Sequence, residues 1–340
     1  MAKAPALVKK ILSKYGKAVV LALLLGLAAA MPWITSKYNV RILTLAMAWA
    51  IATLSLNLIL GYTGQASLAH GALMGIGAYA FGILAQRVGL NFWLSLPLAC
   101  LITAFIGLLI GLPSLRTKGP YFAIVTLCFN VIVYNVFVNW TWLSGGIQGQ
   151  VVPQPAFLQQ RWARYYFVLG CLVLTLIIMR FIVKSLLGVT FMSIRSNESL
   201  AEAAGINSFR NKLLSFVVSC FFVGLAGSML ALENGLLDPT ITMHLNSFYI
   251  LIFLLIGGAA TLSGPVIGAV GLYWLLDYMK KIGIKGIEEF RYLFFGLILI
   301  VVIIYMPRGL VGGARQFWEW AKSKYKSGRG GKVETEEVLE

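Results

Sequence analysis

The chain has 340 residues, 59% of them hydrophobic and only 12% charged, with a mean hydropathy of +0.84. A soluble domain carries about twice that share of charge, so a water-soluble globular enzyme is excluded. The formal net charge of +16 lies mostly on short loops and a tail; attraction to anionic lipid accounts for it, and no clustered basic motif points to nucleic acid.

Runs without Asp, Glu, Lys or Arg cover 18–36, 42–86, 88–115, 119–160, 165–179, 213–232, 239–276 and 292–307. A helix needs about 20 apolar residues to cross a bilayer. The basic segment 1–17 and the apolar run behind it read as an uncleaved first span rather than a signal peptide. The 42–86 run holds two spans, split near Gly61-Tyr62-Thr63-Gly64. The 119–160 run is one span to about Trp140, followed by a loop bearing Gly and Gln. The apolar core 247–276 reads either as one long tilted helix or as two segments broken at Leu262-Ser263-Gly264-Pro265. Lys and Arg collect on the cytoplasmic side. Ten segments with both termini inside place 19 of the 28 Lys and Arg residues there, and a single span over 247–276 places fewer. The expected fold is therefore all-α: a polytopic transmembrane helical bundle of about ten segments, with residues 263–279 a candidate partial crossing and both termini cytoplasmic. The domains follow as a cytoplasmic basic segment 1–17, a transmembrane domain 18–312 and a cytoplasmic tail 313–340.

No catalytic constellation emerges. Cys100, Cys128, Cys171 and Cys220 are widely separated in apolar spans, and no spacing suits a metal or a redox pair. The two histidines, His70 and His244, fall on different expected faces of the membrane. Gly75-Ile76-Gly77-Ala78-Tyr79-Ala80 nominally fits a dinucleotide fingerprint, but it sits inside an apolar span with no preceding strand. No GxxxxGK[ST] loop occurs, so the chain is expected to bind no ATP through a P-loop.

Six stretches carry the remaining information. In Asn57 through Tyr79, the small residues permit close helix approach, as at Gly71-xxx-Gly75. Gln65, Ser67 and His70 are polar groups where water is scarce and need partners or a cavity; interhelical bonding and substrate contact both satisfy that need. In Leu115 through Leu127 and beyond, Thr126, Asn130 and Tyr134 fall at i, i+4 and i+8 on one helical face. That face either borders a translocation path or packs against Gln65 or Ser67. Ser144-Gly145-Gly146-Ile147-Gln148-Gly149 reads as an external loop. Between Lys184 and Lys212, Asn197 through Gly205 reads as a short helix: Asn197 caps it, Glu198 suits the positive end of its dipole, and Gly205 closes it. Two turns of helix are unstable alone, and Leu200, Ala203 and Ala204 offer an apolar face for packing. The last two stretches are Gly257 through Gly268 and Tyr305-Met306-Pro307-Arg308-Gly309-Leu310.

These stretches resemble, in order, the motifs of the branched-chain amino acid permeases of the LivM type. Residues 61–79 are similar to the signature GYxGQxSLGHxxFxGIGAY, departing at Ala69 and Met74; residues 115–127 to LRxxGxYFAIVTL; and 144–149 to TGGxxG, with Gln148 and Gln150 as departures. Residues 257–268 resemble GGxGTLxGPxxG, and 307–310 resemble PRGL. The segment 184–212, with Glu202-Ala203-Ala204 and Gly205, is similar to the cytoplasmic coupling loop of ABC importer permeases.

The resemblance implies a permease subunit in a bacterial or archaeal inner membrane, moving branched-chain amino acids with ATP hydrolysed elsewhere. Its implied partners are a second permease, two ABC ATPase subunits, an external substrate-binding protein and membrane lipid. No cofactor is implied for this chain; ATP and Mg belong to the partner ATPases. Implied coupling residues are Glu198, Leu200, Glu202, Ala203, Ala204, Gly205 and Arg210. Candidates for a translocation path are Gln65, Ser67, His70, Tyr121, Thr126, Asn130 and Tyr134. Permeases for urea or short amides look similar, and a secondary transporter stays open as an alternative of another class.

Overall fold

The computed structural model describes residues 26, 28–117 and 119–281, with isolated positions 296, 300, 309, 310 and 312. The basic segment 1–17, residues 18–25 and 27 of the expected first span, nearly all of the span expected at 292–307 and the tail 313–340 lie outside the described residues. In chain order the helices are α1 (28–34), α2 (Lys37–Leu56, continued by a π-helical turn Asn57–Tyr62), α3 (His70–Gln86), α4 (Phe92–Ser114), α5 (Pro120–Asn139) and α6 (Thr141–Ser144). They continue as α7 (Arg161–Lys184), α8 (Leu186–Ser196), α9 (Glu198–Ala203), α10 (Ser208–Asn234), α11 (His244–Gly257) and α12 (Gly264–Lys281). Two short strands, β1 (Gln150–Val151) and β2 (Leu236–Leu237), pair antiparallel with Gln150 opposite Leu237. Among the described residues, α2 with its π turn, α4, α5, α7 and α10 are long and apolar enough to cross a membrane.

The two hard segments resolve as breaks. The 42–86 run splits into α2 and α3, joined by non-helical backbone at 63–69. The 247–276 core splits into α11 and α12 across 258–263, so the reading of two segments holds. Asn57 ties the breaks together: its Nδ2 donates to Thr261 O at 2.7 Å and its Oδ1 accepts from Ala260 N at 2.9 Å. Ala260 is the one described non-glycine residue with positive φ, at 59°. The GGxGTLxGPxxG pattern carries Gly at that position, and here Ala holds the left-handed conformation instead.

Helices α2 and α10 form the centre, with α10 packed on α2, α3 and α4. Close approach comes from small residues. A Cβ at Gly77 would sit 2.5 Å from Gly224 Cα, and one at Gly227 would collide with Met74 O. The peripheral α4 shows the same rule along its length. Ser95, Ala99, Thr103, Gly107, Gly111 and Ser114 form its buried seam, and Leu94, Leu98, Leu101, Phe105, Leu109 and Leu112 face outward. Small residues inside and large apolar ones outside is the pattern of a helix whose outer solvent is lipid.

The elements alternate between two ends of the bundle. At one end Arg195 of α8 donates to Gly61 O, and a Cβ on Gly64 would lie 3.0 Å from Arg195 Cγ. At the other end β1 meets β2, and Arg87 Nη1 donates to Trp142 O at 2.5 Å. That second end also bears exposed Trp33, Trp93, Trp140, Trp142 and Trp162, a girdle suited to a membrane–water interface.

Candidate functional site

The break at 63–69 exposes backbone polar groups inside an apolar bundle, where each needs a partner. The π turn begins to supply them: Gln65 N donates back to Ile59 O at 3.0 Å, and Thr63 Oγ1 to Leu58 O at 3.1 Å. Helix α5 supplies more. Leu68 N donates to Thr126 Oγ1 at 3.0 Å, and Asn130 Nδ2 donates to Leu68 O at 3.0 Å. Asn130 Nδ2 also reaches Ser247 Oγ at 2.6 Å, and that oxygen accepts from Gly71 N at 2.8 Å. Asn130 lies ten residues into α5, about 15 Å from its start, so the cluster sits deep in the bundle. The Oδ1 of Asn130 is buried without a hydrogen-bond partner.

His70 opens α3 and is fully buried. Its Nε2 lies 2.7 Å from Ser219 Oγ on α10, and its Nδ1 lies 3.2 Å from Ser67 Oγ. Ser219 donates its own proton to Ser55 O at 2.6 Å, so its oxygen is left to accept. That assigns Nε2–H as the donor and Nδ1 as the acceptor from Ser67, with a neutral ring. The relay Ser67–His70–Ser219–Ser55 links the break to α10 and α2 in one polarised chain.

Of the candidate path residues, the structure brings Ser67, His70, Thr126 and Asn130 together. Gln65 and Tyr134 are half-buried beside the cluster, and Tyr121 is 66% exposed at the start of α5. The face carrying Thr126 and Asn130 packs inward on 67–71 and Ser247. The opposite face of α5, with Tyr121, Ile124, Cys128, Val131, Asn135 and Asn139, is the exposed one. A separate cavity of about 330 Å³ lies between α2, α10, α11 and α12, with Asn246 in its wall; the cluster residues Thr126, Asn130 and Ser247 are fully buried and do not line it.

At the opposite end the expected short helix is α9. Asn197 accepts from Leu200 N at 3.1 Å, and Gly205, at φ +86°, closes the helix with Ile206 N donating to Ala201 O at 3.0 Å. Its apolar side chains divide between two faces. Ala201 is buried against the chain, and Leu200, 68% exposed, stands out with Ala203 and Ala204. A two-turn helix pointing a leucine into water retains it through its caps rather than through those side chains. Glu202 and Arg210 are exposed as well. Glu198 turns back on its own chain and takes Lys212 Nζ at 2.5 Å, with Lys212 itself only 3% exposed. The brace is thus double: Lys212 holds α9 to α10, and Arg195 holds the preceding helix to Gly61 at the break.

Sequence reasoning did not single out Ser55, Lys212, Ser219 or Ser247. The polar segment 184–212 holds two carboxylates, Glu198 and Glu202, and four cations, so spacing alone did not single out the Lys212–Glu198 pair. The serines carry no signal either, since a serine in an apolar span most often bonds its own preceding turn.

The sequence profile of a family described as branched-chain amino acid transport system / permease component matches residues 38–303. The chain is 30% identical over 334 residues to the high-affinity branched-chain amino acid transport system permease protein LivM of Salmonella typhimurium, covering 90% of this chain and 76% of that protein. It is 30% identical over 316 residues to the LivM protein of Escherichia coli K12, covering 85% and 73%. It is 24% identical over 292 residues to the probable branched-chain amino acid transport permease protein LivH of Methanocaldococcus jannaschii, covering 81% and 90%. No solved structure matches the chain.

Proposed function

The chain belongs to the branched-chain amino acid transport permease family, and from that premise we propose that it passes branched-chain amino acids through a cell membrane as one permease subunit of an ATP-driven importer. A second permease, two ATPases carrying ATP and Mg, and an external binding protein complete the assembly in this reading. The observation that carries it is α9, a capped helix whose leucine and alanines stand bare at one end of a multi-pass membrane protein while its frame is tied inward. Bare apolar side chains on a braced helix suit a partner's groove, and the ATPase is the partner that this family requires.

A push on α9 then has two routes into the bundle. Through Lys212 it bears on α10, the helix at the centre. Through Arg195 it bears on Gly61 and so on the break at 63–69. The break is held by single hydrogen bonds from Thr126, Asn130 and Ser247 rather than by continuous helix. Such bonds contribute about 0.6 kcal/mol each between membrane helices, weak enough to rearrange when ATP binds. The exposed face of α5, with Asn135 and Asn139 at its outer end, is the surface this reading assigns to the path or the second permease, because lipid is a poor solvent for exposed amides. A secondary transporter is disfavoured because His70, the one ionisable group in the cluster, has both ring nitrogens committed to serines.

The test is uptake by proteoliposomes holding the full complex, with labelled leucine, isoleucine, valine and urea. ATP-dependent uptake of the three amino acids and not of urea is expected. Uptake of urea alone, or uptake driven by an ion gradient without ATP, overturns the proposal.

A further inference from the structure

A groove of about 500 Å³ lies at the tryptophan-bearing end, where the corner between α1 and α2 meets the start of α7. Its apolar wall is Pro32, Val40 and Trp162, and its cations are Lys37 and Arg161. Both cations are exposed, and neither joins an ion pair among the described residues. Arg164, one turn along α7, is by contrast already taken by Glu233 at 3.3 Å. Arg161 Nη1 donates weakly to Lys37 O at 3.4 Å, which keeps the guanidinium beside the second cation. The positive ends of two helix dipoles, α2 and α7, open on the same groove.

Two exposed cations on this end, without a salt bridge among the described residues, run against the charge bias of membrane proteins if the coupling segment is cytoplasmic. Their neighbours explain them. A groove with cations at its rim, an apolar wall and exposed indoles beside it matches a molecule with a phosphate at one end and hydrocarbon at the other. We propose that this groove seats an anionic phospholipid of the adjacent leaflet, with its phosphate at Lys37 and Arg161 and an acyl chain along Pro32, Val40 and Trp162. The proposal rests on the membrane reading of the bundle and is independent of the transported substrate. Its role is to fasten α1 and α7, which also meet through Tyr165 Oη to Ala28 O at 2.7 Å and Tyr166 Oη to Ala29 O at 2.8 Å.

The experiment uses the full chain, purified in mild detergent and stripped of lipid. Retention of phosphatidylglycerol is compared with that of phosphatidylethanolamine of the same acyl chains by native mass spectrometry. Wild type should hold the anionic lipid preferentially. Each cation beside an anionic lipid is worth about fivefold in affinity, so K37Q and R161Q should each lose about that factor, and the double variant should lose the preference. Both positions are exposed, so folding should survive; if the double variant fails to fold, the single variants decide. R87Q, at the same end but away from the groove, should behave as wild type. Equal retention of the two lipids by wild type overturns the proposal, as does a preference that persists in the folded K37Q/R161Q protein. Full competition by soluble glycerol phosphate would make this a free-anion site, and loss of binding-protein capture with lipid retention unchanged would make it a protein contact; both also overturn it.

Discussion

Replacing Gly205 with valine tests whether α9 must be folded for transport. A Cβ at Gly205 meets nothing within 4 Å, so packing contributes no penalty and the whole effect is conformational. The residue stands at φ +86°, where an L side chain costs about 1–2 kcal/mol, with a β-branched one at the upper end. Against this, the Asn197 cap contributes about 1 kcal/mol, and the Lys212–Glu198 pair contributes little because Glu198 is a third exposed. The perturbation therefore matches what holds the helix, and the closed form of the segment should fall by about five- to thirtyfold. The bundle, held by far more buried surface, should insert and fold as before. Uptake and ATP hydrolysis are measured in the reconstituted complex, normalised to permease in the membrane. Gly205→Val should lower uptake by a factor in that range, and Gly205→Asn should recover most of it, because asparagine tolerates the left-handed region. Wild-type uptake from the valine variant would show that 184–212 is a connecting loop whose shape does not matter.

Ala260→Gly relieves a left-handed alanine and should stabilise the detergent-solubilised protein by about 0.5–1 kcal/mol after the extra freedom of glycine in the unfolded chain is subtracted, read as a raised thermal midpoint; a lowered midpoint contradicts the assignment of strain there. Ser247→Ala strips the acceptor from Gly71 N–H and one partner from Asn130, and an orphaned buried donor costs about 1–3 kcal/mol; an unchanged midpoint would mean that the cluster does not hold the break. Ser199→Cys and Ile147→Cys, in a background lacking the native cysteines, lie on opposite ends of the bundle, and both positions are exposed. An impermeant thiol reagent outside intact cells should label Ile147→Cys only, and labelling of Ser199→Cys instead inverts the orientation.

The interruptions of helix were legible because they are written in residues with few conformational uses. Gly61 through Gly64 and Leu262 through Pro265 marked two of the breaks to within a few residues, and Asn197 with Gly205 marked both ends of α9. What the sequence concealed was which way each helix faces. In water a polar stripe means outside, so Thr126 and Asn130 read equally well as a wet path and as a packed seam. In a bilayer that contrast is lost, because lipid and core are both apolar and a polar group is driven toward whichever partner is nearest. For Thr126 and Asn130 the partners reached on a neighbouring element include the opened backbone at Leu68. In α9 the sequence marked Leu200, Ala203 and Ala204 as an apolar face without saying what it meets; they stand exposed, and Ala201 is the residue buried against the chain. At α9 size alone does not decide, since Ala201 packs while Ala203 and Ala204 stay exposed.

Along α4 and at the contact of α3 with α10, size rather than polarity marks the buried side. The seam of α4 from Ser95 to Ser114 steps by three or four small residues, while its leucines point away. Gly77, Gly224 and Gly227 mark the contact of α3 with α10 in the same way. Where a partly exposed face instead combines large side chains with amides, as α5 does through Ile124, Val131, Asn135 and Asn139, the amide nitrogens bond back to their own helix, to Val131 O and Asn135 O at 2.8 Å each. The amide oxygens call for donors that lipid lacks. A face of that composition calls for a surface both apolar and hydrogen-bonding, which a second permease supplies and a hydrocarbon chain does not.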